Sequence, residues 1–330
     1  MLILQYRKDL NPSFLNDYLD YREIMENLSV TTIYSENINI RAFLKFAYSY
    51  KKLKDKNKYY ELKDISFLDI GILEQFTMID MLEYLKFLIE DLKLQEQTRY
   101  DRICIIRIFY KYMHSKMHYI KNNQFYDLEV PKYKVKEVVY MTQQECMQLL
   151  KSPFEYNTKH SIRDYCILCV FLNTGIRRSE LAYALYSNLD MERRELKVLG
   201  KGNKERTVPL NDMAYSALIE YLKIRDDSKC LLNEREYLFI SEKNRHFSPK
   251  GVYDIVKKYI TLCGLENKRF AVHTLRHTNA TLLYKNGAGL REIQKLLGHT
   301  NLSTTQRYTH IDMDDIRNAV NKNPLNSKIA

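Results

Sequence analysis

Between residues 29 and 46 the chain repeats apolar positions at helical spacing. Ile33, Ile40, Phe43 and Leu44 fall on one stripe with Asn37, and Ser29 stands where a side-chain oxygen caps the first turn. That pattern predicts an amphipathic helix, and stripes of the same period predict two more over residues 79–91 and 97–114. Glycine usage points the same way. Eight of the nine glycines lie at Gly175 or beyond, with Gly71 alone before it. A first half almost without the residue that weakens helix interiors is expected to be nearly all helix. The lysine-rich stretch 51–58 (KKLKDKNK) reads as an exposed connector.

The pattern changes near residues 130–139. Pro131 with Lys132, Lys134 and Lys136 suits an extended, solvated linker, and Thr142-Gln-Gln-Glu145 then has the form of a capping box that opens a new helix. Beyond it the periods are mixed. Ser161-Ile-Arg-Asp164 opens an apolar helix that Gly175 ends at the C′ position. Residues 195–199 and 205–210 flank Gly200-Lys-Gly-Asn-Lys204 and read as a β-hairpin. Helices are predicted over 213–223, 251–262, 274–285 and 290–297, and a capping box at Ser303-Thr-Thr-Gln306 starts one more. The expected fold is mainly α with a small antiparallel β-sheet. It divides into a helical domain over 1–132, a linker over 133–140 and a mixed α/β domain over 141–330.

Composition narrows the class of protein. The chain has 330 residues, 45% hydrophobic and 28% charged, which suits two soluble domains that each bury a core. There is no apolar run of the ~18 residues that a membrane helix needs, and Met1-Leu-Ile-Leu4 is far short of a signal-peptide core. The expected location is cytoplasmic, with no membrane partner. A net charge of +11 favours a polyanion, because each neutralised phosphate releases condensed counterions; charge alone does not make that partner a nucleic acid. Of the six cysteines (Cys104, Cys146, Cys166, Cys169, Cys230 and Cys263) only Cys166 and Cys169 have a ligand-like spacing. They sit in an apolar run with no second pair to complete four ligands. Buried helical thiols are expected, with no zinc and no structural disulfide.

Four motifs in the second half carry the candidate chemistry: Thr174-Gly-Ile-Arg-Arg-Ser-Glu-Leu181, Gly200-Lys-Gly-Asn-Lys-Glu-Arg206, His273-Thr-Leu-Arg-His277, and Leu296-Leu-Gly-His-Thr300 followed by Ser303-Thr-Thr-Gln-Arg-Tyr-Thr-His310. His273 and Arg276 are spaced to share one helix face. Together these residues are what a phosphodiester would need. Guanidiniums fork onto the non-bridging oxygens where charge grows in the transition state. Imidazoles move protons near neutral pH. A lysine on a glycine-flanked turn can reach a leaving oxygen, and a tyrosine near arginines gives up its proton more easily. Taken singly, each motif is more often structural. Arg178 reads as a phosphate contact or as a solvated residue, and His277 as a neighbour of the site or as helix packing. Lys204 and Arg206 read as contacts to a DNA backbone or as ordinary hairpin charges. Most of the 27 tyrosines are core or surface residues.

In order and spacing the four motifs resemble the tyrosine recombinase, or phage integrase, family, closely over the second half and more loosely over the first. The resemblance implies a catalytic set of Arg177, Lys201, His273, Arg276, His299 and the nucleophile Tyr308, with Glu180 accompanying the first arginine. It implies cleavage and rejoining of double-stranded DNA through a 3′-phosphotyrosyl link, with no cofactor and no metal, since the arginines supply the charge a nuclease takes from Mg²⁺. The first domain would be a core-binding bundle of about four helices, clamping DNA against the catalytic domain. Four protomers would assemble in synapsis, with the amphipathic tail over 312–320 docking into a neighbour or packing on its own domain. The length suits an Xer-like, integron-type or transposon-borne member better than a lambda-type integrase with an additional arm-binding domain. Two rivals stay open on sequence: a type IB topoisomerase-like strand transferase, and a non-catalytic DNA-binding regulator.

Overall fold

The helical stripes fold as helices because each can bury its apolar side against the next. The structure, a computed structural model, describes residues 8–130, 139–200, 205–268 and 270–298. The chain divides into two compact units, Met1–Val135 and Lys136–Ala330. The first unit carries α1 (Ser13–Ile24), α2 (Val30–Lys51), the single turn α3 (Gly71–Glu74), α4 (Met78–Glu90) and α5 (Glu96–Ser115). Ser29 caps α2 by accepting the Thr32 N–H, and Thr77 with Asp80 closes a capping box on α4. α2 packs against α1, α4 and α5. Its buried side, Ile33, Ile40, Phe43, Leu44, Phe46 and Ala47, meets a layer of aromatic rings. Phe43 stands edge-on to Phe76 at 4.9 Å, and Tyr110 edge-on to Phe125 at 4.6 Å, a geometry that matches ring edge to ring face. Each ring so buried is worth roughly 1.5–3 kcal/mol over leaving it in water.

The stretch 51–58 is mostly exposed, as expected of a connector, and it is tied down at two places: Lys51 is the last residue of α2 and donates to Asp80 at 2.8 Å, while Lys56 opens a 3₁₀ turn (Lys56–Tyr60) and donates to Asp91 at 2.7 Å. These two lysines brace the unit through carboxylates on and after α4.

The second unit opens with α6 (Gln143–Glu155), whose Thr142–Glu145 capping box forms as the sequence suggests. α7 (Ser161–Thr174) is largely apolar, with a buried Arg163–Asp164 pair near its start, and lies at the centre, packed against α6, α9 (Asp212–Ile224) and α11 (Val272–Lys285). Cys166 and Cys169 are buried in it, and burial raises both thiols. Between α7 and α9 come the short helix α8 (Arg178–Ala182) and a three-stranded antiparallel sheet in the order β1 (Leu189–Asp190), β2 (Glu195–Leu199), β3 (Glu205–Pro209). The register pairs Leu196 with Val208 and Val198 with Arg206. Leu196, Val198 and Val208 face the core, so Arg206, two residues before Val208, belongs to the same inward face. α10 (Pro249–Leu262) and α12 (Leu290–Leu297) complete the described α-helices. Among the described residues no helix is long and apolar enough to cross a membrane.

Candidate active site

α7 cannot continue past Gly175, which adopts a left-handed conformation (φ 62°) and donates its N–H to Phe171. A side chain there would meet Leu297 and Asn279 at 2.6 and 2.8 Å, so the turn is held by close packing as well as by its dihedral. The turn delivers Arg177 to the N-cap of α8. Its backbone N–H donates to Glu180 Oε2 at 2.7 Å, and its Nη1 donates to Glu180 Oε1, also at 2.7 Å. Its Nη2 donates to the carbonyl of Gly298 at 2.8 Å.

The other end of the site is built by α11 and α12. Arg276, on α11, is only 6% exposed; its Nη1 donates to the Gly175 carbonyl at 2.7 Å and its Nη2 to the Leu297 carbonyl at 2.6 Å. Arg206 reaches in from β3. Its Nη1 and Nη2 fork onto the two oxygens of Glu180, the second at 2.7 Å, and its Nε donates to the Leu296 carbonyl at 3.1 Å. The final three carbonyls before residue 299 are therefore each taken by a different arginine. A helix leaves its last carbonyls unpaired and its C-terminal end partly negative, so cations there are doubly favoured.

Glu180 is the hub. Its side chain is 1% exposed. Burial alone would raise its carboxyl, yet hydrogen bonds from Arg206 and from the Arg177 N–H, with the charge of Arg206, hold it below the ordinary glutamate value. One fixed carboxylate thus bridges two guanidiniums, leaving a net positive charge, and fixes the plane of Arg177, which keeps 31% of its side chain exposed.

His273 lies in the first turn of α11, one turn before Arg276, with an exposed edge. Partial desolvation, then the charges of Arg178 and Arg276, lower it from the ordinary imidazole value, so at neutral pH it is uncharged and able to accept a proton. Arg178 opens α8 with its guanidinium 5.9 Å from the centre of the Tyr253 ring. His277 is half-buried on α11, one turn beyond His273.

The structure therefore brings Arg177, Glu180, His273 and Arg276 together. Arg206, expected as a contact to a DNA backbone or as an ordinary hairpin charge, faces inward: its side chain is 13% exposed and bonded to Glu180. The alternation in Glu205-Arg-Thr-Val-Pro209 was the available signal, since it puts Arg206 on the face of Val208. Lys201, Lys204, His299 and Tyr308 lie outside the described residues, as does the tail over 312–320. Among the described residues no group of three or more histidines, cysteines or acids could hold a metal ion. What the described site can do chemically is offer fixed positive charge and a neutral imidazole to an anion.

Residues 139–315, more than half of the chain, match the model of the phage integrase family. The chain belongs to the phage integrase family. Among curated relatives, tyrosine recombinase XerC of Caldanaerobacter subterraneus subsp. tengcongensis is 37% identical over 96% of this chain and 88% of its own. Tyrosine recombinase XerD of Staphylococcus epidermidis is 30% identical over 92% of this chain and 96% of its own. Membership and these relatives make the chain an enzyme of the tyrosine recombinase class, and agree with the Xer-like layout expected from the sequence. Two solved structures share the fold: the Tn1549 transposon integrase in complex with a circular intermediate DNA (TM-score 0.68, 18% identity, 94% of this chain and 99% of that one), and the XerH site-specific recombinase bound to its difH substrate (TM-score 0.64, 21% identity, 93% and 83%).

Proposed function

We propose that this chain is a site-specific recombinase that cleaves and religates double-stranded DNA through a 3′-phosphotyrosyl intermediate on Tyr308. The carrying observation is the pairing of Arg177 and Arg276 at the end of α12, with Glu180 fixing the first of them. The match to tyrosine recombinases over nearly the whole chain supports it. The Tyr308 oxygen attacks the scissile phosphorus, the bond to the 5′ oxygen breaks, and a free 5′-hydroxyl leaves. The ester energy is kept in the new phosphotyrosine, so rejoining requires no nucleotide. Arg177 and Arg276 face the charge that grows on the non-bridging oxygens, and His299 donates a further hydrogen bond. Lys201 protonates the leaving oxygen, and neutral His273 takes the proton from Tyr308. The protein acts in the cytoplasm as a homotetramer on two DNA duplexes.

The test is covalent trapping. A duplex selected by this protein from a random-sequence pool, nicked beside the scissile phosphate, should yield a protein–DNA adduct that resists SDS in excess EDTA. Cleavage only on adding Mg²⁺, with free ends and no adduct, would point to a metal-dependent nuclease instead.

A further inference from the structure

We propose that Arg206 is a positioning residue for DNA cleavage, acting through Glu180 on Arg177; the inference rests on the recombinase reading above. Three observations carry it. First, Arg206 forks both oxygens of Glu180, the same carboxylate that receives the Arg177 backbone N–H and its Nη1. Arg177 alone reaches both oxygens, but a carboxylate held only by the group it positions can move with that group, whereas the fork from Arg206 anchors it to β3. The plane of the Arg177 guanidinium is therefore set from β3, a strand that contributes no group to the reacting atoms.

Second, the Nε of Arg206 donates to the Leu296 carbonyl, next to the Leu297 and Gly298 carbonyls held by Arg276 and Arg177. Its aliphatic stem packs against Gly298, where a Cβ would come within 2.9 Å of its Cδ. Arg206 thereby fixes the turn on which Arg177 makes its second contact. Third, Arg206 is the second residue of β3 and pairs with Val198 of β2, so the same side chain that grips Glu180 is held in the sheet register. One side chain ties β3, Glu180 and the end of α12 together.

Lysine cannot replace it, because a single ammonium cannot fork Glu180 and still reach Leu296. The experiment uses the full chain and the trapping duplex described above. It measures the single-turnover adduct rate at saturating DNA, the Kd at fixed salt and the thermal midpoint, for wild type, Arg206→Lys and Arg206→Gln. Arg206→Lys should slow adduct formation on the order of 10–100-fold, less than loss of a direct transition-state donor, with Kd within about threefold, since the lost bonds are internal. In an Arg177→Ala background the effect of Arg206→Lys should shrink, because its target is gone.

A variant rate within threefold of wild type overturns the inference. So does a loss of rate matched by a loss of affinity or of folded protein in both Arg206 variants, which would make Arg206 a binding or purely structural residue. An undiminished effect in the Arg177→Ala background overturns the route through Arg177. If wild type itself forms no adduct, the recombinase reading fails and takes the inference with it, an outcome separate from all the others.

Discussion

Arg276 is almost wholly buried, and an unpaired guanidinium in that position would cost several kcal/mol. Backbone carbonyls from Gly175 and Leu297 hold it in place instead, so its position is fixed before any substrate arrives. Arg177 is fixed by Glu180 and Gly298 in the same way. Preorganised donors act mainly on the transition state. Alanine at either arginine should therefore slow cleavage on the order of 10²–10³-fold, with little change in affinity because many other cations share the phosphate contacts. Lysine should rescue poorly at both positions, lacking the planar fork. Single-turnover trapping with a parallel Kd checks this, and equal losses in rate and affinity at Arg177 would make it a binding residue.

His273 gives a sign for pH. Its folded pKa is lowered, so the neutral, proton-accepting form persists below the ordinary imidazole value. The acid limb of the cleavage profile should lie on the acidic side of pH ~6.5, the unperturbed imidazole value. His273→Gln should remove that limb and slow the reaction on the order of 10²-fold. A limb that stays in place in the variant would assign it to another group.

Elements set how far such residues can be placed. Gly175 is left-handed and in contact with Leu297 and Asn279. Gly175→Ala should cost on the order of 3 kcal/mol from backbone strain together with overpacking, read as a lower urea midpoint. Gly264 is also left-handed but has open space around it, so Gly264→Ala should cost only about 1–2 kcal/mol from strain. Equal costs at the two sites would argue against the packing.

The long helices were legible because their period repeats several times: α2, α4 and α5 lie where the stripes over 29–46, 79–91 and 97–114 put them, and Ser29 and Thr142 cap as their sequences suggest. α2 runs on to Lys51 because Phe46 and Ala47 continue its buried side. Two short elements were not legible, although the hairpin strands β2 and β3 were. Five residues of α8 and two of β1 carry no measurable period; α8 is capped by Glu180 accepting the N–H of its N-cap Arg177, and β1 pairs along the edge that β2 offers. The inward setting of Arg206 was not legible for a related reason. Hairpin charges usually face water, and only the partners supplied by α8 and α12 make an inward arginine tolerable.

At the scale of the whole molecule, each unit has its own core, aromatic in the first and centred on α7 in the second. The net charge of +11 belongs to the chain as a whole and acts over the whole contact with DNA. Affinity should therefore fall on the order of 10³–10⁵-fold between ~50 and ~200 mM salt if ~6–10 phosphates are neutralised. The adduct rate at saturating DNA should change far less, since the site charges are fixed by internal partners. A rate that fell in step with affinity would mean that the arginines are only screened surface charges.

The account stands or falls on which atom attacks the phosphorus. Wild type and Tyr308→Phe are incubated with the trapping duplex in EDTA, and the adduct is digested and mapped by mass spectrometry. The expected result is a nucleotide attached to the peptide that contains Tyr308, with no adduct from Tyr308→Phe although its Kd is nearly unchanged. An adduct from the variant at wild-type yield, or one mapped to another residue, would contradict the account.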